Sequence, residues 1–205
     1  MREKTAKEIQ SEETKLRIKN CAIQLFKENG YNNTSINDIA EKAESSIGGF
    51  YHHFKSKEDI IFYVIESLDD EYYDFFEKML VSEEYKNKNY SDKIKDIIIF
   101  VINLICSSGD ESVRIAYSYL LKHEDYVDIL NNRQRKYFKI ISLLINKAKE
   151  EGLFIDNLTE DDLLSYITIV IRGIIIDWCI SKNAYEVEAK SLALIDLFLS
   201  RVIKN

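Results

Sequence analysis

Apolar positions recur at spacings of three and four along most of the chain, and no alternation of period two survives anywhere. The pattern predicts an all-α protein. Ile18, Ala22, Leu25 and Phe26 share one face of a helix from about Ser11 to Asn29, and Gly30 stands where a left-handed turn ends it. A second helix covers Ile36–Ala43, with Ser35 as N-cap and Ile36, Ile39, Ala40 and Ala43 as its buried stripe. A third, short helix covers about Ile47 to Phe54. Ser56 caps a long fourth one, with Asp59 in the capping-box position and a stripe through Ile61, Val64, Ile65, Leu68, Tyr72, Phe75, Phe76 and Met79. Polar residues interrupt the pattern from Ser82 to Tyr90. Further helices are predicted from Ser91 or Asp92 to the Ser107-Ser108-Gly109 stretch, then to about Lys122, then to Glu151 before Gly152. Thr159 caps a long apolar helix to about Ser181, and the last runs from about Tyr185 to Ile203.

Composition supports this picture. The 205 residues contain no proline, and 46% are hydrophobic against 31% charged, enough to bury a sizeable core. The N-terminus has charges but no apolar run of the kind a secretory signal needs. Ile97–Cys106 is too short to span a bilayer, and Tyr166–Ile180 is interrupted by Arg172 and Asp177. Both read as buried helices. Cys21, Cys106 and Cys179 are far apart and odd in number, as expected of reduced thiols in a cytoplasmic protein. The net charge of −7 is unevenly spread. Residues 1–58 carry 10 Lys and Arg against 9 Asp and Glu, while residues 59–205 carry 18 against 26. The acidity belongs to the C-terminal part, so a near-neutral head can still meet phosphate if its cations share a face.

The segment Ser35–Ile60, SINDIAEKAESSIGGFYHHFKSKEDI, is the most informative. Two short helices joined by about three residues have the dimensions of a helix-turn-helix. Ala40 is small where the helices must cross, and Phe50 supplies an apolar plug ten residues later. Gly48 and Gly49 cost helix stability, up to ~1 kcal/mol each. They also clear the exposed face of the second helix, which in such a unit enters the DNA major groove.

With its surroundings, AIQLFKENGYNNTSINDIAEKAESSIGGFYHHFKSKEDII resembles the DNA-binding head of the tetracycline-repressor (TetR) family of bacterial transcription regulators. The resemblance covers about residues 14–62. It rests on Ala22, Leu25, Phe26, Gly30-Tyr31, Thr34, Ile39-Ala40 and Ala43. Its most specific part is the spaced set Gly48, Phe50-Tyr51, Phe54 and Lys57-Glu58. The resemblance implies that Thr34 and Ser35 bind phosphate through hydroxyls and amides, or merely cap. It implies that Ser45, Ser46, Ile47, Gly48, Gly49 and His52 face the groove, and that Tyr51 and Lys57 hold the DNA backbone. It departs from the family at the turn, where Glu44 replaces the usual glycine; a left-handed glutamate costs roughly 1–2 kcal/mol. Ser45 replaces an apolar residue, and Ile47 a frequent basic one.

The resemblance further implies an N-terminal three-helix DNA-binding head over residues 1–57 and a C-terminal ligand-binding and dimerisation body over 58–205. The pocket candidates are Phe100, Leu104, Tyr117, Phe138, Ile141 and Ile171, with Arg172 or His123 as polar partners. Arg172 lies in an apolar helix, so it must meet an acid, a partner subunit or an anionic ligand. The last helix is apolar nearly all round, which calls for burial on two sides. Leu192, Ile195, Phe198 and Leu199, with Ile169, Gly173 and Ile176 of the preceding helix, would form a four-helix bundle between two subunits. No metal or cofactor is expected. His52-His53 and His123-Glu124-Asp125 are neighbours on a helix, pointing about 100° apart. No catalytic motif is visible. The expectation is a homodimeric repressor, released from a palindromic operator by a small hydrophobic or aromatic effector. A helical protein-interaction module without DNA affinity is the alternative, supported by the acidity and by Glu44.

Overall fold

The computed structural model describes residues 5–107, 109–123, 127, 130–182 and 184–204, with the side chains of all but Lys27 and residues 61–67. The predicted stripe positions Ile61, Val64 and Ile65, and Glu124 and Asp125 beside His123, lie outside the described residues or side chains. Ten helices occur among the described residues: α1 Ala6–Asn29, α2 Ile36–Lys42, α3 Ile47–His53, α4 Lys57–Val81, α5 Glu83–Lys86, α6 Tyr90–Cys106, α7 Asp110–Lys122, α8 Lys136–Glu150, α9 Glu160–Ile180 and α10 Val187–Val202. The only extended pairing among them is an isolated bridge between Phe154 and Ile203. It ties the loop after α8 to the end of α10 through Ile155 N–H to Val202 O (3.0 Å) and Lys204 N–H to Leu153 O (2.8 Å).

Three features differ from the sequence expectation. Helix α1 starts a turn and a half early, because Thr5 and Glu8 form a capping box. The polar stretch after α4 holds one helical turn, α5. Asp59 does not close a capping box: its carboxylate accepts instead from Lys55 N–H (2.7 Å) and from the Tyr119 hydroxyl (3.3 Å).

There are two apolar clusters. The head cluster joins Ile18, Ala22, Leu25, Phe26 and Tyr31 to Ile39, Ala43, Phe50, Phe54 and Ile60. It also contains Ala116 of α7, so the head is closed on one side by the body. The body is built around α6, which packs against α4, α7, α8, α9 and α10. Its Ile94, Ile97, Ile98, Val101 and Ile102 are all buried, as an apolar face surrounded by other helices requires. Helix α9 is long and apolar enough to cross a membrane, yet half of its apolar window is buried against this body.

The outer faces of α9 and α10 correct part of the expected subunit interface. Ile195 and Leu199 are buried in the body core. They face α6, because an α-helix carries neighbours three and four apart on one side. Leu192 and Phe198 are half-buried. The apolar side chains left outside are Ile169 (62% exposed) and Ile180 (74%) on α9, and Leu194 and Leu197 on α10. Gly173 is exposed in the same α9 row, with nothing within 4 Å of where a Cβ would stand, and Ile176 is half-buried beside it.

Candidate nucleic-acid interface and ligand cavity

Helix α3 is held by its apolar side. Phe50 and Phe54 are buried at 0% and 2% exposure, their rings 5.7 Å apart. Ser46 caps the helix by accepting from Gly49 N–H at 2.9 Å. This anchoring turns Ile47, Gly48, Tyr51 and His52 outward, all exposed, with Ser46 beside them and Ser45 half-exposed. The two glycines serve different ends. A Cβ on Gly48 would meet only Ser46 Oγ, at 3.8 Å, whereas one on Gly49 would stand 2.5 Å from Ser45 Oγ. A methyl on Gly49 would therefore make the Ser45 hydroxyl rotate aside, whereas Gly48 is a bare exposed backbone position.

The turn before α3 is strained where the sequence suggested. Glu44 has φ 49°. It occupies the left-handed position of a Schellman motif, with Glu44 N–H to Glu41 O (3.0 Å) and Ser45 N–H to Ala40 O (2.9 Å). Helix α1 reinforces it: Arg17 Nε donates to Ala43 O at 2.7 Å.

Two expected phosphate ligands are bonded to carbonyls of the head itself, Thr34 buried and Lys57 half-exposed. Thr34 is 1% exposed, and its hydroxyl lies 2.9 Å from Gly30 O and 3.3 Å from Leu25 O. It locks the end of α1, and so is not on the DNA face. Lys57 Nζ donates to Tyr31 O and Thr34 O, both at 2.7 Å, and sits 4.0 Å from the centre of the Tyr31 ring. Burial lowers its pKa from the ordinary lysine value, opposed by Glu58 and Glu111. The cation fastens the α1–α2 loop to α4. Ser35 stays exposed as the N-cap of α2, in a capping box with Asp38. Burial, then His52 and Lys15, hold His53 below the ordinary imidazole value, which favours its neutral form.

A cavity of about 140 Å³ lies where head and body meet. Ile23 and Phe26 of α1 form part of its wall, with Leu68 and Tyr72 of α4, Val101 and Ile105 of α6, Val113, Ala116, Tyr117 and Leu120 of α7, Tyr137 of α8, and Thr168, Ile171, Arg172 and Ile175 of α9. Of the expected pocket residues, Tyr117, Ile171 and Arg172 line it. Phe138 and Ile141 are buried in the body core away from it. Phe100 is stacked on Phe75 with centroids 3.9 Å apart, and Leu104 packs on the outside of the core. These four lie on faces of α6 and α8 turned from the cavity, and helical period alone could not choose between two apolar faces. His123, beyond the end of α7, is exposed and rests on Tyr119.

Sequence reasoning missed Phe26, Val113, Tyr137, Thr168 and Arg135 as wall residues. It also missed Glu111, whose carboxylate accepts from Asn32 Nδ2 at 2.7 Å and joins α7 to the head. Only Arg135 had a local signal, a cation at the edge of an apolar helix. Its guanidinium makes two bonds to Asp69 (3.0 and 2.8 Å).

An exposed, side-chain-poor second helix on a buried aromatic anchor defines a helix-turn-helix DNA-binding head carried on a helical body. Residues 20–64 match the sequence model of the bacterial regulatory proteins of the tetR family, so this head is similar to the DNA-binding heads of that family. An HTH-type transcriptional regulator of Staphylococcus aureus (strain bovine RF122 / ET3-1) is 37% identical over 84 residues, 36% of this chain and 45% of that protein. The chain thus spans about half the length of the curated relatives it matches. A tetR-family transcriptional regulator of Pectobacterium atrosepticum has the same fold, with a TM-score of 0.70 at 18% identity over 98% of this chain and 99% of that one. The regulator FadR of Bacillus subtilis, solved in complex with stearoyl-CoA, superposes with a TM-score of 0.65 at 23% identity over 91% and 98%.

Proposed function

We propose that this chain is a ligand-responsive transcriptional repressor of the cytoplasm, a homodimer that binds a palindromic operator and is released by a small, largely apolar effector. Residues 1–57 act as the DNA-binding head and residues 58–205 as the ligand-binding and dimerisation body. One observation carries the reading: the cavity wall includes Phe26 and Ala116, which are also members of the head's core. A molecule that enlarges the cavity by displacing α1 or α7 would shift the apolar core on which α3 rests. Coupling of this kind is typically ~1–3 kcal/mol. The groove-facing set is Ser45, Ser46, Ile47, Gly48, Tyr51 and His52, with Ser35 at the backbone. The unpartnered row of Ile169, Gly173, Ile180, Leu194 and Leu197 supplies the subunit interface. FadR's complex with stearoyl-CoA is a precedent for effector binding within this fold.

Selection from random duplexes with the full chain tests the reading. Wild type should enrich an inverted repeat whose half-sites lie about one helical turn (~34–36 Å) or somewhat more apart. His52→Ala should change the preferred bases by ~1–3 kcal/mol per lost contact. A protein that enriches no repeat is an interaction module and not a sequence-specific reader.

A further inference from the structure

Two cations reach the cavity wall, Arg135 and Arg172. Arg135 is neutralised by the two-bond pair with Asp69, both side chains little exposed. Arg172 is not. Its Nη2 donates to Leu130 O (3.0 Å) and to Asn131 Oδ1 (3.2 Å), both neutral acceptors. Among the described residues no carboxylate lies within 4.0 Å of its guanidinium, and its Nε and Nη1 make no hydrogen bond. The described wall contains no Asp or Glu. Among the described residues the cavity is therefore an apolar chamber with one positive charge that no carboxylate compensates. A partly buried guanidinium held only by neutral acceptors is costly, and an anion placed against it recovers the loss.

The groups beside Arg172 point the same way. Its charge is felt by the hydroxyls of both Tyr117 and Tyr137, each pushed up to about 12 by burial, with Arg172 opposing the rise. Both phenols stay protonated at neutral pH and can donate. A guanidinium edge and two phenol donors suit a planar carboxylate. A cationic ligand would meet repulsion, and a neutral one would leave Arg172 uncompensated.

We propose that the effector is an anionic amphiphile, a carboxylate on a compact apolar body of roughly six to eight carbons, received by Arg172; this rests on the reading of the cavity as the effector site. The size follows from the volume. The cavity measures about 140 Å³, and an apolar cavity of about 150 Å³ accommodates a benzene ring.

Isothermal titration of the full chain with benzoate and octanoate, against benzyl alcohol, octan-1-ol and octylamine, tests the assignment. Wild type should bind the carboxylates at least about tenfold more tightly than the matched alcohols, and the amine least. Arg172→Met should remove that preference while keeping the alcohol affinity, which also reports that it is folded. Arg172→Lys should keep part of it. Ile105→Phe, which fills the cavity, should weaken carboxylate and alcohol alike. Alcohols that bind as tightly as carboxylates, or a preference that survives Arg172→Met, would overturn the carboxylate assignment and leave the cavity reading standing. Probes that bind in the cavity without changing affinity for the selected duplex would overturn the effector reading, and this one with it.

Discussion

Glu44 and Gly152 occupy the same backbone position in two turns. Gly152 ends α8 with φ 71°, with Gly152 N–H to Lys149 O and Leu153 N–H to Ala148 O, the same pair of bonds that closes α2 around Glu44. One turn has the residue that tolerates a left-handed conformation, and the other does not. Glu44→Gly is expected to stabilise the chain by about 1 kcal/mol, or ~2–4 °C in Tm. It also removes a negative charge next to the groove-facing residues, so duplex affinity should rise. Thermal melts and titrations check both; a lower Tm would mean the glutamate is compensated by contacts of its own. Ser35 and Asp38 give a pH-dependent prediction. Hydrogen bonds from the Ser35 hydroxyl and then its backbone N–H lower the Asp38 pKa from 3.8. A depressed carboxylate stabilises the fold above its unfolded value and loses that contribution as pH falls through its folded one. The Tm gap between wild type and Asp38→Asn should therefore be full at pH 7 and close below pH 3.8. A gap constant across that range would assign the effect to packing.

At the scale of elements, α3 is a helix whose stability and function pull apart at one position. Gly48 faces open space, so Gly48→Ala should gain up to ~1 kcal/mol of helix stability. The same methyl stands where backbone would approach the duplex, so binding should weaken. Gly49→Ala should gain less, because its methyl stands 2.5 Å from Ser45 Oγ and must displace that hydroxyl. Melting and duplex titration of the two variants separate the roles; equal effects on both measures would show that the pair acts only as a weak helix. Much of this element was legible in the sequence. The stripes through Ile39, Ala43, Phe50 and Phe54 gave the helices and their buried sides, since a 3.6-residue period fixes which residues share a face. The roles of Thr34 and Lys57 were not legible. A hydroxyl and an ammonium at a helix start read the same whether they meet phosphate or a carbonyl of their own chain, and only the fold brings Gly30 O and Tyr31 O to them.

For the whole molecule, the exposed row on α9 and α10 and the shared cavity wall set the expectations. Ile169→Glu adds a charge at a position already 62% exposed, so the subunit should fold. In a dimer sealed by this row the charge would be desolvated, and the variant should sediment as a monomer with unchanged helical circular dichroism. A dimer of wild-type affinity would move the interface elsewhere. Phe198→Glu is a poorer test, because Phe198 also packs against the body core. Head and body are joined through α7 by Ala116 and by Asn32–Glu111, while Tyr119–Asp59 ties α7 to the start of α4; these contacts make α7 the element most able to pass a change in the cavity to the head.

The sequence by itself determined most of the helices, the caps at Ser35, Ser56 and Thr159, the left-handed turn at Glu44 and the family that the head resembles, because these depend on residues within a few positions of one another. Local period and capping chemistry are enough for that. It did not determine which apolar face of α6 and α8 meets a cavity, which of two arginines is neutralised, or that Phe26 serves head and cavity at once. Asp69 and Arg135 are 66 positions apart, and Asn32 and Glu111 79. Partners at such separations are chosen by how the helices stack, and the stacking follows from the summed packing of many apolar faces that no single segment encodes.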